Sequence, residues 1–406
     1  MDKLLEVKNL SLAFQTASGR LSAINGASFG LYPGEFFAVV GESGSGKSVL
    51  TQSIVRLTPS PPAYITGGEI LFEGKDLVRC TEGDMADIRG KKISVIFQDA
   101  MTALNPTMKI GEQITEVIMR HMRYGAGEAR AIARALTAAW SQADPCERDR
   151  VVTTWLMDHF RFGPEELERR KASLKELLDG KRPEQGILSW ILNEANVTRA
   201  IARKTAVDLL KLVKIPDAEK RVDQYIFQFS GGMRQRVMVA VALACRPKIL
   251  IADEPTTALD VTIKNEVLDL LRELVSQLGT SVILITHDLG VVASYAGRIG
   301  VMYAGGFVET GLSREIFYSP RHPYTQGLLN AIPRLDSGAG NTLKAIKGSP
   351  PNLLNKPEGC PFARRCDHRM NICLMESPGE TVLSETHAVR CFLTDKRARR
   401  LREAEI

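Results

Sequence analysis

The 406-residue chain has no long apolar run. Its longest, VMVAVALAC from Val237 to Cys245, is nine residues, against about 20 for a helix that spans a bilayer. Any membrane role is therefore expected to come through partners. The start, MDKLLEVKNLSLAF, interrupts its apolar residues with charges, so no signal peptide is expected there. Neither sign of charge dominates, since a net charge of +6 is mild for this length. Part of it lies in KRARRLR, Lys396 to Arg402, read as a solvated terminus rather than an arm for lipid or nucleic acid. The seven cysteines are an odd number, and Cys80, Cys146 and Cys245 lie far apart, which argues against a disulfide framework. What is present is ordinary folded-protein composition, 44% apolar and 25% charged, with length for two or three domains.

The strongest signal is VVGESGSGKS. Gly41 to Ser48 fits G-x-x-x-x-G-K-[ST] without departure, after the strand-like FFAVV and before the helix-like SVLTQSIVRL. Glycines let such a loop turn tightly so that successive backbone N–H groups face a phosphate, and the helix start adds its positive end. Gly41, Glu42, Ser43, Gly44, Ser45, Gly46, Lys47, Ser48 and Val49 are the expected ATP-binding residues, with Lys47 on the β- and γ-phosphates and Ser48 on Mg²⁺. KILIADEP reads as a buried strand ending in Asp253 and Glu254, at the strand end where ligands sit in a parallel α/β sheet. Asp253 is expected to hold Mg²⁺, and Glu254 to orient or deprotonate the attacking water. SVILITHD is a second such strand, ending in His287, the expected γ-phosphate contact.

With these parts, FSGGMRQR (Phe229 to Arg236), IFQDAMTALNP and TTALD make the chain resemble the ATP-binding-cassette ATPases, over about residues 4 to 310. The resemblance identifies Gln98 as the Q-loop glutamine, a catalytic and Mg²⁺-contacting residue, and Asp260 as the D-loop aspartate. Ser230, Gly231, Gly232 and Met233 become the signature, which in that family closes over ATP held by a second subunit. A dimer follows, and with one cassette per chain the second must come from another chain. Phe14 stands where the family often stacks adenine on a tyrosine, and Met233 where many members have glutamine. Neither change removes a catalytic group.

FQDAMTALNPTMKIGEQ, FYSPRHPYTQGLLNAIPRLD and a C-terminal cysteine cluster narrow the resemblance to ATPases of bacterial dipeptide and oligopeptide importers. Importers of nickel, glutathione or cationic peptides share much of this pattern. The expected function is ATP hydrolysis that powers uptake of short peptides. The implied partners are a related but different ATPase chain, two permease subunits and, indirectly, an extracytoplasmic solute-binding protein. No nucleic-acid partner is expected. The implied location is peripheral, on the cytoplasmic face of the inner membrane, and residues Asp99 to Gln113 are candidates for coupling to the permease. A soluble ABC ATPase of DNA repair or translation is the alternative of another class. Neither the heptad-rich coiled coils or zinc hooks of the former nor the second cassette of the latter is present.

The expected fold is an α/β P-loop core with an N-terminal β-rich subdomain, an enlarged helical subdomain and a small C-terminal cysteine-rich module. The cassette is expected over residues 1–315, with its helical subdomain at about 99–240, and the extension over 316–406. From Gln98 to Ser230 is 132 positions, longer than expected for this subfamily, and the excess lies near Gly125 to Asn196. Val152, Trp155, Leu156 and Phe160 recur at helical spacing, as do Leu167, Leu174 and Leu178.

Cys360, Cys366, Cys373 and Cys391 lack the two-to-four-residue pair spacing usual at structural zinc sites. Their broader spacing suits a cubane, whose corners lie farther apart than ligands on one ion. The subfamily resemblance also points to [4Fe–4S]. Zinc, or reduced or disulfide-bonded thiols, remain the alternatives, with His368 and His387 as substitute ligands.

Overall fold

The structure, a computed structural model, describes residues 2–122, 126–159, 164–192, 197–256, 260–331 and 346–395. Gly125, Phe160, Gly163, Asn196, Thr257 to Leu259, the 332–336 end of the FYSPRHPY segment and the basic run at 396–402 lie outside the described residues. Two compact units result: residues 1–103 with 246–406, and residues 104–245. Among the described residues no helix is long and apolar enough to cross a membrane.

The first unit contains two sheets. Strands β1 (Leu5–Thr16), β2 (Gly19–Leu31), β4 (Ala63–Phe72) and β5 (Lys75–Asp76) form an antiparallel sheet in the order β2-β1-β4-β5. The second sheet holds β3 (Phe36–Val40), β6 (Ile93–Ile96), β7 (Ile249–Asp253), β8 (Ser281–Thr286), β9 (Arg298–Tyr303), β10 (Gly306–Leu312), β11 (Thr381–Val382) and β12 (Ala388–Val389). Its order is β11-β12-β10-β9-β3-β8-β7-β6, with β9, β3, β8, β7 and β6 parallel and the β10, β12 and β11 edge antiparallel.

The apolar run FFAVV forms a strand covered on both faces, as parallel strands usually are. Phe37 and Val39 join the core shared with β1, β2, β4 and the helix Lys47–Ile54. Ala38 and Val40 point to a second core with Ile299, Val301, Tyr303, Tyr324 and Phe362. This period-two alternation buries each side chain, at about 1.5–3 kcal/mol for a large aliphatic or aromatic one. Phe362 comes from the cysteine-bearing segment, and Val389 of β12 pairs with Glu309 of β10. The C-terminal residues therefore extend the second sheet.

Glu309 fixes this junction. Its buried carboxylate accepts from the backbone N–H groups of Arg321 (2.7 Å) and His322 (2.9 Å) and lies 2.8 Å from Nε2 of His387. The His322 ring accepts from the Tyr324 N–H and starts the helix Pro323–Asn330. Burial pushes the His322 imidazole down to about 3, so it stays neutral and keeps the lone pair that this bond needs.

The second unit is helical. Within it, the helices Ala126–Gln142, Arg148–His159, Pro164–Leu178 and Pro183–Trp190 enclose a core of their own. Val152, Trp155, Leu156, Leu174 and Leu178 are buried there, and Leu167 packs against it. Trp140, Trp155 and Trp190 all belong to this core, and they are the chain's three tryptophans. Indole emission from the protein therefore reports on this helical layer alone.

Candidate functional site: a nucleotide pocket at the ends of parallel strands

Because β3, β8, β7 and β6 are neighbours and parallel, their C-terminal ends bring four distant segments to one edge. The loop after β3 leads to Gly46, whose φ of +99° opens the helix Lys47–Ile54. A Cβ there would lie 2.8 Å from the Ala23 carbonyl oxygen, so only glycine lets the loop turn this close to β2. β7 ends in Asp253, β8 leads to His287, and β6 leads to Gln98.

These side chains meet. Ser48 Oγ donates to Asp253 Oδ1 at 2.9 Å, which brings the two expected Mg²⁺ ligands side by side. Lys47 Nζ donates to the carbonyls of Gly41 (2.8 Å) and Glu42 (2.9 Å), which fold the ammonium over the loop. Gln98 Nε2 donates to Glu254 Oε2 at 3.3 Å, and Nδ1 of His287 lies 3.2 Å from Glu254 Oε1. The Glu254 carboxylate is thus held from both sides. Its backbone sits at φ +45°, a conformation that costs a non-glycine residue about 1–3 kcal/mol. The Glu254 N–H bond to Ile285 O, 3.0 Å, helps fix it there.

The electrostatics follow from burial. Desolvation lowers the Lys47 pKa, and the charges of Glu254, Asp253 and Glu42 pull it back up. Desolvation raises the Asp253 carboxyl, opposed by the Ser48 bond and assisted by the neighbouring Glu254 charge. Both groups would gain from a charged ligand of opposite sign, phosphate for Lys47 and Mg²⁺ for Asp253.

A cavity of about 700 Å³ lies over these groups, bounded by Phe14, Ser43, Gly44, Gly46, Lys47, Ser48, Val49, Gln98, Glu254 and His287. Leu21, Ala23 and Leu353 also line it. These three lie outside every sequence motif, and Leu353 comes from the C-terminal segment. Gly41 and Ser45, expected among the ATP ligands, pack beneath the loop. A Cβ on Gly41 would sit 2.2 Å from Met302 O, and the Gly305 N–H donates to Ser45 O at 2.9 Å.

Glu42 departs from the expectation that it faces ATP. Its N–H donates to Tyr324 Oη at 2.8 Å, and its carboxylate takes a bidentate pair from Arg365, at 2.6 and 2.9 Å. Both interactions draw it toward the C-terminal segment, so its groups support the loop from behind.

In the helical unit, Ser230 caps the helix Gly231–Leu243, its hydroxyl accepting from the Met233 N–H at 3.4 Å. Gly231 and Gly232 open that helix, so the expected second anion site has the right local form. Asp260 caps the helix Val261–Leu278 through its backbone carbonyl, which accepts from Lys264 N–H.

Residues 24–257 match the ABC transporter family, and residues 308–373 match the oligopeptide/dipeptide transporter C-terminal region. The chain belongs to the ABC transporter family. As an ABC ATPase it uses ATP with Mg²⁺, and the pocket above gathers residues expected to hold both. The chain is 44% identical over 398 residues to the dipeptide transport ATP-binding protein DppD of Bacillus subtilis (strain 168), covering 98% of this chain and 97% of that protein. It is 45% identical over 391 residues to the oligopeptide transport ATP-binding protein OppD of the same organism, covering 96% and 89%. With OppD of Escherichia coli (strain K12) the identity is 40% over 379 residues, covering 93% and 90%. The dimeric structure of MJ0796, a bacterial ABC transporter cassette, superposes with a TM-score of 0.50 at 22% identity, covering 76% of this chain and 99% of that one. That likeness supports the α/β cassette fold.

Two of the four cysteines expected to hold a metal meet through the backbone. The Cys360 N–H donates to Cys373 O at 2.8 Å, and a Cβ on Gly359 would lie 2.3 Å from that same oxygen, so the two cysteine segments are in close backbone contact. Burial pushes the Cys360 thiol up to about 11 and the Cys391 thiol up to about 12, and the charges of Cys366 and Cys373 add to both. Among the described residues, however, no group of three or more His, Cys, Asp or Glu side chains is drawn together in an arrangement that could hold a metal ion.

Proposed function

We propose that this ATPase powers uptake of short peptides through a membrane-embedded importer. The observation that carries the reading is the joining of an assembled ATP site to an oligopeptide/dipeptide transporter C-terminal region, in a chain that aligns along nearly its whole length with ATP-binding proteins of dipeptide and oligopeptide transport. In this reading Lys47 and the loop amides hold the phosphates, Ser48 and Asp253 hold Mg²⁺ with Gln98 alongside, and Phe14 stacks on adenine. Glu254 accepts the proton of the attacking water while His287 and Gln98 keep its carboxylate aimed.

The chain works as half of an ATPase pair, with a related second chain, so that Ser230, Gly231, Gly232 and Met233 of each close over the ATP of the other and Asp260 lies at their junction. Two permease subunits receive the pair at the cytoplasmic face of the inner membrane, and a solute-binding protein supplies the peptide from outside. The 99–113 stretch transmits the closure. Support for that role comes from Gln113, whose side chain is buried and bonded to Asn105 and Met108, giving the loop before the helix Ile110–His121 a fixed shape. Residues 1–315 act as the cassette and 316–406 as its extension. The helices between 125 and 196, with a separate core, are an added layer that enlarges the helical subdomain.

Cys360, Cys366, Cys373 and Cys391 would hold a [4Fe–4S] cluster, with zinc as the competing centre. Such a centre would cross-link a loop-rich segment and contribute folding free energy to it.

The test is uptake of labelled di- and tripeptides in cells lacking this chain. Loss of uptake, restored by the wild-type chain, is the expected result. Loss of nickel, glutathione or cationic-peptide uptake with short-peptide uptake intact would reassign the solute. Retention of all four would overturn the importer reading.

A further inference from the structure

The cysteine-bearing segment reaches the phosphate loop through one side chain. Arg365 lies next to Cys366 in sequence, and its side chain is only 6% exposed. Every nitrogen of its guanidinium has a partner. Nη1 and Nη2 donate to the two carboxylate oxygens of Glu42, Nε donates to Lys347 O at 2.9 Å, and Nη1 also reaches Tyr303 Oη at 3.3 Å. The Glu42 side chain itself is 27% exposed. On the same side, Tyr324 Oη accepts the Glu42 N–H, and the Tyr303, Tyr324 and Phe362 rings pack within 4.6–5.4 Å of one another. Glu42 is the second residue of the loop, directly after the Gly41 whose carbonyl receives Lys47.

We propose that Arg365 is a positioning residue of the ATP site, holding the first turn of the phosphate loop through Glu42, so that the cysteine-bearing segment sets how well the loop receives ATP. The physical basis is the geometry of the pair. A bidentate guanidinium–carboxylate contact fixes both distance and orientation. With the Arg365 side chain almost fully buried, it has little alternative solvation, and removing either partner leaves the other poorly compensated. The loop amides must be aimed within a fraction of an ångström to bind phosphate well, and a small misplacement from outside the site is enough to weaken binding. Neither Glu42 nor Arg365 lines the nucleotide cavity, so the effect passes through the loop. The inference concerns ATP affinity and holds whichever solute is transported.

The test is a double-mutant cycle on the purified full-length chain with its native metal content retained, reading the ATP dissociation constant by titration. Arg365→Gln and Glu42→Gln are each expected to raise it about tenfold, and the double variant no further than either single one, because the pair acts as a unit. Arg365→Lys is expected to recover only part of the affinity, since an ammonium cannot span both carboxylate oxygens. Where a charge-removing variant fails to fold, Arg365→Lys carries the test, since it keeps the charge and loses only the bidentate geometry. A lowered melting temperature with unaltered ATP affinity, or single effects that add in the double variant, would overturn the proposal. Wild-type ATP affinity in Arg365→Lys would also overturn it.

Discussion

Replacing Glu254 by Gln is expected to lower ATP turnover by about 10²–10⁴-fold, the range ascribed to a positioned general base, while ATP affinity stays within a few-fold of wild type. The expectation rests on geometry. Glu254 sits at the end of β7, held at φ +45° by the sheet and gripped by Gln98 on one oxygen and His287 on the other. The amide keeps the size and most of the hydrogen bonding of the carboxylate, so the pocket should be preserved and only the proton acceptor lost. ATP should then accumulate bound and uncleaved, a state visible as stoichiometric nucleotide retained on the protein after gel filtration. Turnover within about tenfold of wild type would remove Glu254 from the role of base.

Replacing Lys47 by Ala is expected to act one step earlier. Its ammonium is folded onto the Gly41 and Glu42 carbonyls, contacts it would exchange for β- and γ-phosphate oxygens. Hydrogen bonds to charged groups contribute about 1.5–3 kcal/mol each, so two such contacts correspond to at least about 10²-fold in the ATP dissociation constant. Desolvation already disfavours the buried ammonium, and the truncation relieves that penalty, so the fold should not be destabilised in proportion. Calorimetric titration with ATP separates the two effects: heat of binding should vanish at micromolar nucleotide while the unfolding transition persists. Unaltered affinity would show that the loop amides alone hold the phosphates.

The part of the site that was legible in the sequence is the part whose spacing the chemistry dictates. The phosphate loop must follow a strand and open a helix. The carboxylates Asp253 and Glu254, and His287, must end apolar strands, and each of these arrangements leaves a local pattern. The sequence could not indicate what supports the loop from behind. Glu42 and Arg365 are 323 positions apart, and neither residue type nor local period links them. Glu42 consequently reads as a phosphate-loop ligand in the sequence, whereas the structure turns it toward Arg365.

Leu353 reached the pocket unseen for the same reason. Strands β11 and β12, two residues each, are too short to leave an alternating pattern, so the joining of the C-terminal segment to the β10 edge was also out of reach. The helical layer of residues 126–190 is visible in its periodicity. That it closes a core of its own around three tryptophans is not, because periodicity marks a buried face without saying what covers it.

The most direct test of the account measures ATP hydrolysis and peptide uptake together, in vesicles carrying the assembled transporter with this chain as one of its ATPases. Hydrolysis that rises with peptide supply, and uptake that stops when ATP or Mg²⁺ is withdrawn, is the predicted result. Uptake that continues without ATP, or hydrolysis indifferent to peptide when the binding protein is present, would contradict it.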